Sequence, residues 1–463
     1  MSELSPALVA EFKKVAGNDN VFTEEADKLA YSYDAAVLPA VMPSAVIRPT
    51  TKEALAATVK LAYENDLPIT VRGSGTNLSG CTIPEKGAGI VILTNALNKI
   101  LEINEQDLYA RVEPGVVTAQ FAAAVSARNL LYPPDPGSQA VSTIGGNVAC
   151  NAGGLRALKY GVTKDYLMGL EFIDFNGNLV KSGSRTVKCV TGYNMPGLML
   201  ASEGTLGVYS EIILKLVPPP KASRAMVAVY DDINKASETV AEIIAAHIVP
   251  CTLEFLDQVT IQTVEAAKNV GLPTDAAAIL LIEVDGGHVQ MVDDDAEEVI
   301  KICKRVGARS VNVATNAEEK NKLWEARRAA LPALARARPT TVLEDATVPR
   351  SQIPAMVAAV NRIAEKYKLF IGTFGHAGDG NLHPTIMCDR RDAEEFKRVE
   401  AAVDEIFDMA LSLGGTLSGE HGIGMAKAQW MVKETNQATI DFSKRLRRAL
   451  DPKYLFNASK KIV

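Results

Sequence analysis

Histidine is scarce in this chain of 463 residues: there are five, and three of them fall in two glycine-rich turns. The first turn reads Gly375-His376-Ala-Gly-Asp-Gly-Asn-Leu-His383-Pro384, and the second Leu417-Ser-Gly-Glu420-His421-Gly-Ile-Gly424. Strand-like runs over 369–374 and 382–387 flank the first turn. A hairpin there would place His376 and His383 side by side on adjacent antiparallel strands. Two imidazoles and a carboxylate with open positions make a sound site for Zn²⁺, Fe²⁺ or Mn²⁺. Two histidines at this spacing are more often coincidence than ligation. The glycine-rich setting and the lack of histidine elsewhere reverse that weighting. Asp379 has the place of an Asx-type turn residue, and His247 and His288, without such a setting, are read as structural.

Glycine is concentrated as well. Of 33 glycines, 13 fall between Gly137 and Gly207 and three more in Gly73–Gly80. Arg72-Gly-Ser-Gly-Thr-Asn-Leu-Ser-Gly80 follows a strand-like Ile69–Arg72. It lacks the closing Gly-Lys-Ser/Thr of a P-loop and the spacing of a dinucleotide GxGxxG. Its consecutive N–H groups still suit an anion such as a pyrophosphate. Four further segments share this character: Pro133–Ser138, Ser142–Gly154, Gly192–Gly197 and Ser202–Gly207.

The elements that must carry these turns are legible in outline. Before the triple proline Pro218–Pro220, strand-like runs occur at 45–49, 68–73, 89–93, 109–114 and 170–180, the last a hairpin signal around Asn176-Gly177. Helical patterns cover 51–66 and 117–129. After the prolines, strands near 226–230, 252–256, 279–284, 342–348 and 370–375 alternate with helices near 233–246, 292–306, 318–336, 351–366 and 392–412. The pattern is that of an α+β sheet layered with helices.

Composition narrows the partners. A net charge of −6 argues against a nucleic-acid or anionic-membrane partner. No apolar run approaches the ~20 residues of a membrane helix. The N-terminus has neither a signal core nor a transit-peptide composition, so the expected location is cytoplasmic. The six cysteines are at least 39 residues apart, which excludes zinc-ribbon and iron–sulfur spacings.

The glycine segments and the two histidine turns, in this order, resemble the vanillyl-alcohol-oxidase-type flavoproteins. The branch they are most similar to is that of the glycolate oxidase FAD subunit and the FAD-linked D-lactate dehydrogenases. The resemblance runs from about Pro43 to the C-terminus. It implies an α+β fold: a two-lobed FAD-binding domain over 1–220, then an α+β substrate (cap) domain over 221–463 with the metal site and a short C-terminal helical segment. By the same resemblance Arg72, Gly73, Ser74, Gly75, Thr76, Asn77, Leu78, Ser79 and Gly80 would cradle the FAD pyrophosphate. Pro134, Asp135, Ser138, Ser142, Gly145, Gly146 and Asn147 would line the pyrophosphate and flavin ring. Glu203, Gly207 and Ile213 would lie toward the adenine and ribose, and Asn381 would reach the flavin or substrate.

The resemblance also gives roles at the histidine turns. His376, His383 and Glu420 would hold one divalent metal ion, and His421 would act as base beside the substrate hydroxyl. Arg327, in Leu323-Trp-Glu-Ala-Arg-Arg328, would clamp the substrate carboxylate. Adjacent helical residues point about 100° apart, so only one of Arg327 and Arg328 is expected in the site. Relatives that oxidise dicarboxylates carry a lysine a little downstream, which Val342–Val348 lacks. No histidine precedes His247, so FAD is expected to be non-covalent. The implied activity is oxidation of a D-2-hydroxy acid, D-lactate ahead of glycolate, with hydride transfer to flavin N5. Electrons would pass to a protein acceptor, an electron-transferring flavoprotein pair ahead of an iron–sulfur subunit, in a homodimer or hetero-oligomeric complex. A non-catalytic flavin relay subunit and a metal-dependent hydrolase are the rival readings.

Overall fold

Short runs of branched residues become strands in the computed structural model, which describes residues 3–84 and 89–462. Two compact units form. The first is Met1–Gly153, Val162–Pro219 and Glu420–Val463; the second is Gly154–Gly161 and Pro220–Gly419.

The first unit holds β1 (Val21–Phe22), β2 (Ala45–Ile47), β3 (Ile69–Arg72), β4 (Ile90–Leu93), β5 (Ile100–Asn104), β6 (Tyr109–Val112), β7 (Leu167–Ile173), β8 (Leu179–Gly183) and β9 (Val208–Lys215). One sheet has the order β1-β2-β4-β3, with β2 and β3 both parallel to β4. The parallel pairing needs a crossover, which the helix Lys52–Glu64 supplies. Thr51 caps that helix, and Leu55, Val59 and Ala62 bury one face against Ile47, Ile69 and Ile92. A second sheet, β5-β6-β9-β7-β8, is antiparallel throughout. Its β7–β8 hairpin turns at Asn176-Gly177, where Asp174 accepts from the backbone N–H groups of Asn176 and Asn178.

The end of the chain belongs to this unit for a specific reason. Phe456 forms a parallel bridge with Ile69, flanked by Ile69 N–H to Leu455 O (2.7 Å) and Asn457 N–H to Ile69 O (2.8 Å). The buried Arg447 guanidinium donates to the carbonyls of Phe456, Asn457 and Lys460. The tail thus extends the first sheet past β3. Two consecutive stretches, 1–220 and 221–463, differ from this grouping at the C-terminal end because the tail pairs with an early strand.

The second unit is built on β10 (Ala222–Tyr230), β11 (Thr252–Asp257), β12 (Ala278–Gly286), β13 (Ser310–Val313), β14 (Thr340–Leu343), β15 (Ala346–Thr347), β16 (Phe370–His376) and β17 (Asn381–Cys388). The order is β13-β10-β12-β11-β16-β17-β14, with β15 also on β17. Helices Gln258–Lys268 and Ala317–Ala337 cover one face, where Leu256, Ile261, Leu281, Ala330, Leu334, Phe374 and Met387 share a core. The excursion Gly154–Gly161 joins this unit through Asp285, which accepts from Lys159 Nζ (2.5 Å) and Tyr160 Oη (2.7 Å).

Several elements differ from the sequence pattern. The helices Pro6–Ala16 and Gln258–Lys268 lie outside the predicted elements, and Ile144–Cys150 is helical within a predicted glycine loop. Thr143 caps that last helix by accepting from Gly146 N–H, and the cap outweighs the low helix propensity of Gly145 and Gly146. No helix among the described residues is long and apolar enough to cross a membrane.

Asp257, buried at the end of β11, ties three elements together. Its Oδ1 caps Gln258–Lys268 through Thr260 N–H (2.8 Å), and its Oδ2 accepts from Thr373 N–H on β16 (2.7 Å). Asp257→Ala leaves both buried donors unsatisfied and is expected to cost about 1–3 kcal/mol. Denaturant unfolding of the variant measures this, and an unchanged midpoint would contradict the role of Asp257.

Candidate active site

In the second unit the chemistry gathers where the apolar face of the sheet turns polar. Register decides which side chains meet. Phe374 pairs with His383 and His376 with Asn381, so these four side chains share one face of the β16–β17 hairpin. The two imidazole rings stand edge to face with centroids 5.3 Å apart, on adjacent strands as the spacing predicts. On the other side of β16, Phe255 pairs with Gly375, which sets Glu254 opposite His376.

Glu254 has no solvent exposure and bridges two groups. Its Oε1 lies 2.7 Å from His376 Nδ1, and its Oε2 accepts from Arg327 Nε at 2.5 Å. Burial alone would push this carboxyl up, but the guanidinium of Arg327 and then His376 outweigh it, holding it below the ordinary carboxylate value. The helix Ala317–Ala337 delivers Arg327 in register with Trp324, whose indole donates to Glu283 on β12 (3.1 Å). Arg327 is buried against Phe374, its guanidinium carbon 4.8 Å from the ring centroid, while Arg328 is exposed. The terminal nitrogens of Arg327 form no further hydrogen bond among the described residues.

Asn381 lies beside this array. Its Nδ2 donates to Asp345 and to Thr347 Oγ1, and its buried Oδ1 has no partner among the described residues. Asp345 is fully buried and also accepts from Ser418 Oγ (2.8 Å). Neither Glu254 nor Asp345 stands out in the sequence. An acid in the middle of the apolar run Thr252-Leu-Glu-Phe-Leu256 was the available signal for the first; for the second there was none beyond its place in Val342–Val348.

The first unit places the glycine segments. Arg72 ends β3, and its guanidinium donates to Tyr33 O (2.6 Å) and Thr82 Oγ1 (3.2 Å). Asn77 closes the Arg72–Gly80 loop by accepting from the N–H groups of Ser79 and Cys81. Ser74 donates to Val141 O, and Gly73 packs so closely that a Cβ there would meet Thr143 Oγ1 at 2.3 Å. Ser142 and Asn147 both bond Thr118, and Gly145 N–H donates to Pro114 O, so the Ser142–Gly154 segment is pinned beside that loop. Pro134, Asp135 and Ser138 precede it; Ser138 O accepts from Val141 and Ser142 N–H.

Glu203 is buried at φ +55°, and both its carboxylate oxygens accept from the backbone, Ile423 N–H at 2.8 Å and Gly424 N–H at 2.7 Å. Its side chain therefore holds the second histidine turn. Ser79 Oγ donates to His421 O (3.0 Å), and a Cβ on Gly153 would meet Glu420 Oε2 at 2.6 Å. Gly207 immediately precedes β9, and Ile213 lies within it. Chemically, the second unit offers an always-charged guanidinium fork beside two imidazoles. His376 donating Nδ1–H to Glu254 would leave Nε2 as a lone-pair donor for a divalent ion. The first unit offers close backbone, which a flat ring system and a pyrophosphate require.

Comparison with known proteins gives the family. The sequence profile described as "FAD binding domain" matches residues 43–183, and that described as "FAD linked oxidases, C-terminal domain" matches 219–461. The chain is 49% identical to the glycolate oxidase subunit GlcD of Bacillus subtilis (strain 168) over 96% of its own length and 95% of the relative's. It is 31% identical to a D-lactate dehydrogenase of Anaerostipes hadrus, covering 99% of this chain and 98% of that one. The solved structure of p-cresol methylhydroxylase with substrate bound superposes with a TM-score of 0.81 at 18% identity, over 99% of this chain and 96% of that one. At that identity the likeness establishes the fold.

The Glu254 bridge carries a stability consequence. Glu254→Ala leaves the Arg327 guanidinium buried without its carboxylate and is expected to cost about 3–5 kcal/mol. Glu254→Gln, which keeps the volume and one acceptor, should cost less. Unfolding followed by tryptophan fluorescence compares the two, and equal midpoints for all three proteins would contradict the bridge.

Proposed function

The chain belongs to the FAD-linked oxidases, with the vanillyl-alcohol-oxidase-type fold, and from that premise we propose that it oxidises a small D-2-hydroxy acid, D-lactate to pyruvate in first place. The observation that carries this reading is Arg327: a buried guanidinium with Nε fixed by Glu254 and terminal nitrogens that form no hydrogen bond among the described residues. A planar fork of this kind suits a carboxylate bidentately.

FAD would be held without a covalent link by Arg72–Gly80, Pro134, Asp135, Ser138, Ser142, Gly145, Gly146, Asn147, Glu203, Gly207 and Ile213, and would supply the acceptor for the C2 hydride. One divalent ion held by His376, His383 and Glu420 would supply a Lewis acid at the substrate hydroxyl. The paired imidazoles and the Glu254 contact to His376 Nδ1 fit that donor set. Arg327 binds and orients the substrate carboxylate, with Glu254 fixing its direction. His421, on the turn held by Ser79 and Glu203, takes the hydroxyl proton as general base. Asn381, whose buried Oδ1 has no partner among the described residues, would offer an acceptor to the substrate or the cofactor. D-lactate minus this proton and the C2 hydride is pyruvate, so the balance closes.

A specific observation favours glycolate as the second reading: the 49% identity to the Bacillus subtilis GlcD protein over nearly the whole chain. The two substrates differ by a methyl group, worth ~1–3 kcal/mol in a pocket. Either way the electrons leave for a protein acceptor in the cytoplasm, an electron-transferring flavoprotein pair ahead of an iron–sulfur subunit.

Anaerobic titration of the flavin absorbance with D-lactate, L-lactate, glycolate and D-2-hydroxyglutarate tests the reading. Rapid bleaching by D-lactate is expected; bleaching by glycolate alone would transfer the assignment to glycolate, and no bleaching by any of the four would overturn it. His421→Ala should retain FAD while reduction slows by about 10²–10⁴-fold. Unimpaired reduction in that variant would remove His421 from the reaction.

A further inference from the structure

Asn457 lies six residues from the C-terminus, in a stretch with none of the glycine or histidine that marks the other segments. It is 1% exposed, and its bonds converge on the segments already given to the cofactor. Its side-chain amide donates from Nδ2 to Cys81 O (3.1 Å), just past the Arg72–Gly80 loop. The same Nδ2 donates to Glu203 O (2.6 Å) in the Ser202–Gly207 segment. Its backbone N–H bonds Ile69 on β3, the strand that leads into the Arg72 loop. Its φ of +45° lies in the left-handed region, where asparagine is one of the few side chains that sit without large strain.

With both amide hydrogens committed, the remaining atom is Oδ1, a buried acceptor with no hydrogen-bond partner among the described residues. The amide cannot be turned over to relieve this. Rotation would set Oδ1 against two carbonyl oxygens. Buried polar atoms in native proteins find partners, so the position calls for a donor supplied from outside the chain. The phosphates of FAD offer none at neutral pH. Its adenine amino group, its ribose and ribityl hydroxyls and its ring N–H do.

We propose that Asn457 is a cofactor-binding residue whose Oδ1 accepts a hydrogen bond from a hydroxyl or N–H group of FAD. The inference rests on the FAD assignment and adds the C-terminal tail to the cofactor site. Arg447 makes the placement possible. Its guanidinium gathers the carbonyls of Phe456, Asn457 and Lys460 and holds the tail at the edge of β3.

The test is the dissociation constant of FAD from the full-length chain, read by flavin fluorescence after the cofactor is stripped and returned. Asn457→Gly, compatible with the positive φ, should weaken FAD binding about tenfold, the worth of one buried hydrogen bond. Asn457→Asp separates the two ends of the amide. It keeps an acceptor where Oδ1 stands but sets oxygen against the carbonyls of Cys81 and Glu203. If Oδ1 binds the cofactor, the aspartate variant holds FAD more tightly than the glycine variant. If Asn457 only anchors the tail, aspartate is as weak as glycine or weaker, and the proposal falls. Glycine-variant binding within twofold of wild type overturns it as well. Should the glycine variant not fold, the aspartate variant is read against wild type instead, and a loss of FAD affinity of about tenfold or more overturns the proposal. Failure of the wild-type chain to bind FAD would instead overturn the cofactor assignment on which the inference rests.

Discussion

The second unit is organised around one carboxylate that water does not reach. Glu254 sits in the middle of a strand with no exposure, where an isolated charge would be very costly. It is sustained there by Arg327 on one oxygen and His376 on the other. The dependence is mutual: without Glu254 the guanidinium would be a buried charge without its partner, and the tautomer of His376 would lose its bias. The three residues lie 73 and 122 positions apart along the chain. Only the order β12-β11-β16-β17, with a helix laid over it, brings them together. The antiparallel pairing is thus a condition of the chemistry as well as of the core, since a one-residue slip of β16 against β11 would turn His376 to the opposite face.

The first unit uses the same device with backbone donors. There the buried acid Glu203 meets backbone N–H groups at Ile423 and Gly424, with Lys461 Nζ at 3.3 Å. Its work is positional: it clamps the turn that carries His421 to the loop that ends at Gly80. Ser79 reinforces this by donating to His421 O and accepting from Met425 and Ala426 N–H. The segments read as cofactor loops are therefore braced by the last part of the chain. Glycine at these places reflects backbone brought close to backbone and side chain as much as room left for a ligand.

This also explains what was legible in the sequence. Period-2 and helical patterns, the Asn176-Gly177 turn and the spacing of His376 and His383 are local signals, and each local signal became the expected element or contact. What was not legible is partnership across long separations. Glu254 and Asp345 are ordinary acids in sequence, and nothing near them names Arg327, His376, Asn381 or Ser418 as neighbours. The helix Ile144–Cys150 is not legible in the sequence because Gly145 and Gly146 suppress the helical pattern, although Thr143 in front of it is a capping residue. The pairing of Phe456 with Ile69 was hidden for the same reason as Glu254: no short window of sequence contains both.

The stretch β14 to β15 bears on substrate size. With Arg327 in its proposed role, a dicarboxylate would need a second cation, and here the connecting residues are Glu344 and Asp345, both buried acids. Asp345 is held in place by Asn381 and Ser418 rather than turned out to solvent. A second carboxylate brought to this part of the sheet would meet like charge in a setting where the repulsion is poorly screened. A single guanidinium fork with one nitrogen already fixed leaves two terminal nitrogens, which matches one carboxylate. If Arg327 holds the substrate carboxylate as proposed, charge and geometry point to the same class, a small monocarboxylate, and they do so through residues other than those that mark the chain as a flavoprotein.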